Sequence, residues 1–176
     1  MRGRLSSWIG AIPHVVITVL MIVVTVDMLL GVFLRYVVTK ISEVFDLPTV
    51  QFFWVEEVGE WSLAWLSFIA AALGIRQGIH FAVHLVINSF PLALRRAVLA
   101  TQCLLIVLFG ALLAIFGWQV AELNSQSFSP ALVVNLRWLY LSSVVGGVLM
   151  VVYGFITLGD VLGGRGPWGE LVKGSE

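Results

Sequence analysis

Four strongly apolar stretches divide this chain and restrict what it can fold into. They are Ile12–Leu34, Trp61–Ile75, Ala97–Trp118 and Trp138–Leu158, and nearly all charged residues lie in the connectors between them. A helix needs about 20 apolar residues to cross the roughly 30 Å hydrocarbon core of a bilayer. Because lipid offers the backbone no hydrogen-bond partners, and because barrel strands are much shorter, each stretch should be a helix. We therefore expect an all-α integral membrane protein with four transmembrane helices.

The composition leaves little material for anything outside such a membrane domain. Hydrophobic residues make up 60% of the 176 residues, charged residues 11%, and the mean hydropathy is +1.02. We expect a single four-helix membrane domain over 1–176, with spans at about 12–34, 50–77, 97–118 and 138–159. The zero formal net charge disfavours nucleic acid as a partner, since its binding depends on basic surface. The single cysteine, Cys103, lies in the third span and indicates packing rather than disulfide chemistry.

The second span needs more chain than its uncharged part supplies. Pro48 favours a first helical turn, so a helix running from about residue 50 to Gln77 is predicted. Its first turns then hold the carboxylates Glu56, Glu57 and Glu60, where the helix dipole favours negative charge. Aromatic side chains recur at helical spacing on another face of this helix and predict a packing surface for a partner. They are Trp54, Trp61, Trp65 and Phe68, followed by Ala72.

The distribution of Lys and Arg predicts the orientation, because cytoplasmic connectors carry the excess of these residues. One set of alternating connectors holds seven of them: Arg2, Arg4, Arg76, Arg95, Arg96, Arg165 and Lys173. The other set holds three: Arg35, Lys40 and Arg137. Both termini should therefore be cytoplasmic, with the 35–60 and 119–137 connectors on the opposite side.

The segment from Gly74 to Leu85 alternates apolar and polar residues and predicts a cytoplasmic turn that leads into an amphipathic stretch on the membrane surface. His80 and His84 lie one helical turn apart, a spacing that can hold a metal ion. We expect no metal here, because no cysteine or acid accompanies them. A haem-bearing membrane anchor of a respiratory complex is an alternative that needs histidines on facing helices, and His14 is the one other histidine. No cofactor is expected.

Several short motifs occur in a fixed order along the first two spans. They are Arg35-Tyr36, then Trp54-Val55-Glu56-Glu57 with Trp61 and Trp65, then Arg76-Gln77-Gly78-Ile79-His80. This order resembles the small membrane subunit (DctQ-like) of TRAP transporters, the tripartite ATP-independent periplasmic type, over roughly residues 12–160. The Ser129-Pro130-Ala131-Leu132 run is also similar to that family. The stretch from Val37 to Phe53 is longer than the family's usual joint.

The resemblance implies a role as an accessory transport subunit rather than an enzyme. It implies a multi-pass protein of the bacterial inner membrane that braces a large permease subunit, which carries substrate and sodium. It further implies a contribution to docking a periplasmic solute-binding protein during ion-coupled uptake of an organic acid-like solute. The partners so implied are the large permease subunit, the solute-binding protein and membrane lipid. The motif residues are candidates for subunit contacts or structural roles: Arg35, Tyr36, Trp54, Glu56, Glu57, Trp61, Trp65, Arg76, Gly78 and His80.

Two sets of charges suggest particular contacts. Arg35 should lie at the depth of Glu56 and Glu57, which predicts a salt bridge between the first two helices; the alternative is separate, solvated interfacial charges. Asp27 is an acid well inside the first span, where ionisable residues are costly and often functional. It is either protonated or hydrogen-bonded and faces a neighbouring helix, near Thr25 or Gln119, or it serves as the working residue of a stand-alone proton-coupled carrier.

Overall fold

The computed structural model describes residues 2–45, 52–77 and 91–163, with the backbone alone described for 2–11 and 92–93. The helices are α1 (Arg2–Phe33), a π-helical segment (Leu34–Val38), α2 (Thr39–Val44), α3 (Phe53–Gln77), α4 (Leu92–Leu123) and α5 (Arg137–Gly163). Phe128 and Asn135, in the loop between α4 and α5, form an isolated antiparallel β-bridge.

The prediction of four membrane-spanning helices is confirmed. Four continuous helical stretches are long and apolar enough to cross a bilayer: Ile12–Val44, Phe53–Arg76, Leu94–Leu123 and Arg137–Gly163. The first one extends ten residues past the predicted end at Leu34, since neither glycine nor proline interrupts the chain between Gly31 and Pro48. The predicted amphipathic stretch, with Gly78, His80 and His84, lies outside the described residues.

Contacts group the described residues into two compact units. The first takes in Met1–Ser67 and Val120–Ser142, and the second takes in Phe68–Gln119 and Ser143–Glu176. The single-domain organisation remains a prediction.

The second unit is held together by close contact of α4 with α5. A Cβ added at Gly147 would lie 2.6 Å from the carbonyl oxygen of Gly110 and 2.7 Å from the amide nitrogen of Ala114. Glycine at these positions lets the two backbones approach, which is how membrane helices gain packing energy without a hydrophobic driving force. Gly110 and Gly147 therefore serve the close packing of α4 on α5.

Two further contacts belong to this unit. Leu99, Cys103 and Val161 form a buried apolar cluster, so the predicted packing role of Cys103 is also confirmed. The guanidinium of Arg76 lies 5.8 Å from the ring centroid of buried Tyr153, within the range of a cation–π interaction. Arg76 is the basic residue of the last turn of α3, where positive charge also favours the helix dipole.

Candidate functional site

The first unit contains a polar contact between α3 and the loop that connects α4 to α5. The two carboxylate oxygens of Glu57 each accept a backbone N–H, from Ala131 and from Leu132, both at 2.8 Å. The side chain of Ser129 lies beside the same carboxylate. Hydrogen bonds to an ionised group are roughly twice as strong as neutral ones. Glu57 therefore fixes the position of the loop on α3.

The loop at residues 124–136 is itself closely hydrogen-bonded. The Ser129 N–H donates to the Val134 carbonyl at 2.9 Å, and the Leu136 N–H donates to the Ser127 carbonyl at 2.9 Å. Val133 has φ of +54°, a left-handed conformation that is costly for a β-branched residue. The surrounding bonds impose this conformation, and the Val133 side chain is left 70% exposed.

Two contacts join the ends of this loop to the helices. The Asn135 side-chain oxygen accepts the backbone N–H of Arg137 at 2.8 Å, which satisfies one of the unpaired donors at the start of α5. Arg137 and Glu122 form an ion pair at 3.3 Å between the beginning of α5 and the end of α4. Both side chains of that pair are substantially exposed, so we assign it little stability.

A cavity of about 520 Å³ lies against the loop. We call it the Trp61 cavity; Trp61, Glu56 and Glu60 from α3 line it together with Pro130 and Leu139. Its wall combines an aromatic ring, a proline and carboxylates on the side of the loop that Glu57 fixes. Such a surface is suited to contact with another protein.

A second cavity, of about 780 Å³, lies between the first span and the beginning of α3. We call it the Asp27 cavity; Asp27, Arg35, Glu56 and Glu60 contribute its charged groups. Asp27 is only 6% exposed. Within the described residues, no hydrogen bond or ion pair reaches its carboxylate.

Close approach of the two helices accounts for the burial of Asp27. A Cβ added at Gly59 of α3 would lie 2.7 Å from Oδ2 of Asp27, so glycine is what lets the carboxylate fit there. One turn further along, Gly31 of α1 faces Val55, 3.2 Å from the position a Cβ would take. The predicted partner Thr25 is engaged elsewhere, since its hydroxyl donates to the Met21 carbonyl at 2.7 Å.

The Arg-Tyr motif lies in the π-helical segment Leu34–Val38. A π-turn inside an α-helix is rare and is frequently found at functional sites. Arg35 lines the Asp27 cavity, whereas Tyr36 is 73% exposed.

The predicted salt bridge from Arg35 to Glu56 or Glu57 is wrong for the part of the chain that the structure describes. The Glu57 oxygens bind the backbone of the 124–136 loop instead. Arg35 and Glu56 line a common cavity without forming an ion pair there. The physical reason is that two directed backbone N–H groups satisfy a buried carboxylate without the entropy cost of ordering a long arginine side chain.

The predicted aromatic surface on α3 divides into two parts. Trp54 is exposed, and Trp61 and Trp65 are half-buried. In the second unit Ala72 is fully buried, and a Cβ added at Gly146 of α5 would lie 2.6 Å from the Cβ of Phe68. The Phe68–Ala72 end of the surface is therefore covered by this chain's own helix, and the Trp54 end is the part left uncovered.

These features define a multi-pass helical membrane protein whose polar contacts join a helix to a structured loop. The model of the family described as "Tripartite ATP-independent periplasmic transporters, DctQ component" matches residues 24–162. The chain therefore belongs to the DctQ component of the TRAP transporters. It is also similar to a protein of Haemophilus influenzae that is provisionally named a TRAP transporter small permease protein, with 28% identity over 96 residues. That alignment spans 54% of this chain and 59% of the relative.

Sequence reasoning missed the partner of Glu57. The Ser129-Pro130-Ala131-Leu132 run was recognised only as similar to the family. One feature of the sequence could have predicted this contact. A proline-containing turn next to a span exposes backbone N–H groups that need acceptors, here those of Ala131 and Leu132. A buried carboxylate on a neighbouring helix is such an acceptor, although sequence spacing alone does not place the two together.

Proposed function

We propose that this chain is the accessory membrane subunit that braces a large permease and presents a docking surface to a solute-binding protein. The observation that carries the proposal is the bidentate contact of Glu57 with the backbone of Ala131 and Leu132. A carboxylate committed to two backbone donors holds a surface in place and is poorly suited to shuttling ions. The surface it holds presents two exposed apolar side chains, Phe128 and Val133, which suit protein contact.

The bracing role is supported by the first span. Only 6% of its most apolar 18-residue stretch is buried by the described part of the chain, against 39% for the corresponding stretch of α5. Most of this helix therefore faces lipid or another protein. In a tripartite transporter of the bacterial inner membrane, the large permease would cover part of this face while it carries substrate and sodium. An organic acid-like solute is the expected cargo.

The test is reconstitution with defined components. This chain, its cognate large permease and its solute-binding protein are purified and placed in liposomes under a sodium gradient. We expect solute uptake with all three and none when this chain is omitted. Glu57→Gln should weaken the binding of the solute-binding protein to the two-subunit complex. Glu43→Gln is the control, since Glu43 is exposed on α2 and lines neither cavity.

A stand-alone proton-coupled carrier is the second candidate, because Asp27 is buried beside a cavity in the first span. Liposomes that contain this chain alone distinguish the two. Uptake that depends on Asp27 would contradict the accessory role.

A further inference from the structure

The Asp27 cavity contains an unbalanced set of charges. Three carboxylates line it, those of Asp27, Glu56 and Glu60, against a single guanidinium, that of Arg35. Glu56, Glu60 and Arg35 are exposed and can be solvated, whereas Asp27 is 6% exposed. The buried carboxylate is therefore the group in this cavity that most needs a partner.

Arg35, the arginine that lines the cavity, does not supply that partner. Arg35 follows Asp27 by eight residues, a separation of about 12 Å along a helix that rises 1.5 Å per residue. In the described part of the chain the guanidinium forms no ion pair with the Asp27 carboxylate. Packing against Gly59 contributes no side-chain hydrogen-bond donor either, because glycine has no side chain.

We propose that a basic side chain, lysine or arginine, from the large membrane subunit enters the Asp27 cavity and pairs with Asp27. This inference rests on the proposed function, since it requires that subunit to be present. Charge complementarity favours a cation, because an acidic cavity with one buried, unpartnered carboxylate repels anions and is satisfied by a positive group. Ionisable residues inside a span pair with one another in this way rather than face lipid.

The location of the cavity also favours a protein partner. It lies beside the span of this chain that is least covered by the chain's own residues. Exposed apolar residues on both of its helices, such as Val32 on α1 and Leu63 on α3, flank the charged groups. Apolar area of this kind forms the core of protein interfaces, where a buried charge is destabilising unless it is paired.

The test begins with co-purification of the two membrane subunits in mild detergent. Asp27→Asn keeps the shape of the side chain and removes its charge. We expect the amount of large subunit that co-purifies with this variant to fall by about fivefold or more relative to the unaltered chain. The reason is that the partner's buried charge is left unpaired. Glu43→Gln is the control, since Glu43 is exposed on α2 and lines neither cavity. Thermal unfolding of the isolated Asp27→Asn chain shows whether it still folds.

A second measurement locates the partner side chain directly. A photo-crosslinking residue is placed at Leu63, which lines the cavity, and at Leu108, an exposed position on α4 that does not. We expect crosslinks from Leu63 to a segment of the large subunit that contains lysine or arginine. Replacing that basic residue by alanine should lower retention as Asp27→Asn does, and the double variant should lose no more than either single one.

The outcomes separate this inference from the proposed function. If the unaltered chain retains no large subunit, the proposed function fails and this inference fails with it. If the unaltered chain retains the subunit and Asp27→Asn retains it equally well, the inference is overturned while the proposed function stands. Native mass spectrometry adds one further outcome. Loss of a bound aminophospholipid in Asp27→Asn, with the subunit retained, would assign the cavity to lipid and also overturn the inference.

Discussion

At the scale of single residues, Glu57 is the group whose chemistry is most specific. It accepts the N–H groups of both Ala131 and Leu132, and a single apolar or amide replacement leaves at least one buried donor poorly satisfied. We expect Glu57→Gln to raise hydrogen exchange at these two amides by about tenfold or more, because local opening becomes easier. Exchange measured by mass spectrometry on peptides that cover the loop checks this.

The control for that prediction is Glu56→Gln. Glu56 is exposed and directly precedes Glu57, yet it makes no such contact in the described residues. Its replacement should leave exchange in the loop unchanged. Equal loss of protection in both variants would show that general charge at the start of α3, rather than the directed contact, holds the loop.

Gly59 supports a second prediction at the residue scale. A Cβ there would lie 2.7 Å from Oδ2 of Asp27, so Gly59→Ala must either displace the buried carboxylate or move α1 and α3 apart. We expect a loss of about 1–3 kcal/mol in the free energy of unfolding, as for other overpacked sites. Gly74→Ala on the same helix is the matched control, since a Cβ there meets nothing within 4 Å. It should be neutral or stabilising by up to about 1 kcal/mol through helix propensity. Melting in detergent compares the two, and equal effects would contradict this account.

At the scale of elements, the contact of α4 with α5 depends on backbone approach. A Cβ at Gly147 would meet backbone atoms of Gly110 and Ala114, which cannot rotate away as a side chain can. We expect Gly147→Ala to lower the free energy of unfolding by about 1–3 kcal/mol. Gly159→Ala, also on α5 and open on all sides within 4 Å, should have no destabilising effect. A melting temperature unaffected by Gly147→Ala would refute close packing of these helices.

The long first element illustrates what local pattern can and cannot predict. Its apolar core was recognisable from length alone, but the helical conformation passes through Arg35 and Lys40 and ends at Val44. Arginine and lysine end an apolar stretch without ending a helix, since both residue types are good helix formers. The π-helical segment at Leu34–Val38 lies at this change from apolar to charged sequence.

At the scale of the whole molecule, the prediction concerns orientation. The excess of Lys and Arg, seven against three, predicts that both termini are cytoplasmic and that the 124–136 loop lies outside. We expect Ser127→Cys, in a chain with Cys103→Ser, to be labelled by a membrane-impermeant maleimide applied to spheroplasts. Fluorescent protein fused after Glu176 should fold and fluoresce, as it does on the cytoplasmic side. The reverse pattern would invert the topology and remove the loop from any periplasmic partner.

The sequence by itself determined the class of this protein and the number of its spans. Four apolar stretches of sufficient length admit no other structure in lipid, because every backbone group must be paired within its own segment. The order of short motifs also indicated the family that the family model then identified. These conclusions depend on length, hydropathy and residue order, which are local properties.

Only the tertiary structure decided which polar groups meet. Spacing placed Glu57 at the same depth as Arg35, yet the carboxylate binds the amides of Ala131 and Leu132, more than 70 residues along the chain. The tertiary structure likewise shows that Asp27 is buried against Gly59 and that the Thr25 hydroxyl donates its hydrogen bond elsewhere. Helical periodicity specifies a face and a depth, but several donors share each depth. The choice among them is made by how closely the backbones pack, and that depends on small residues distant in sequence.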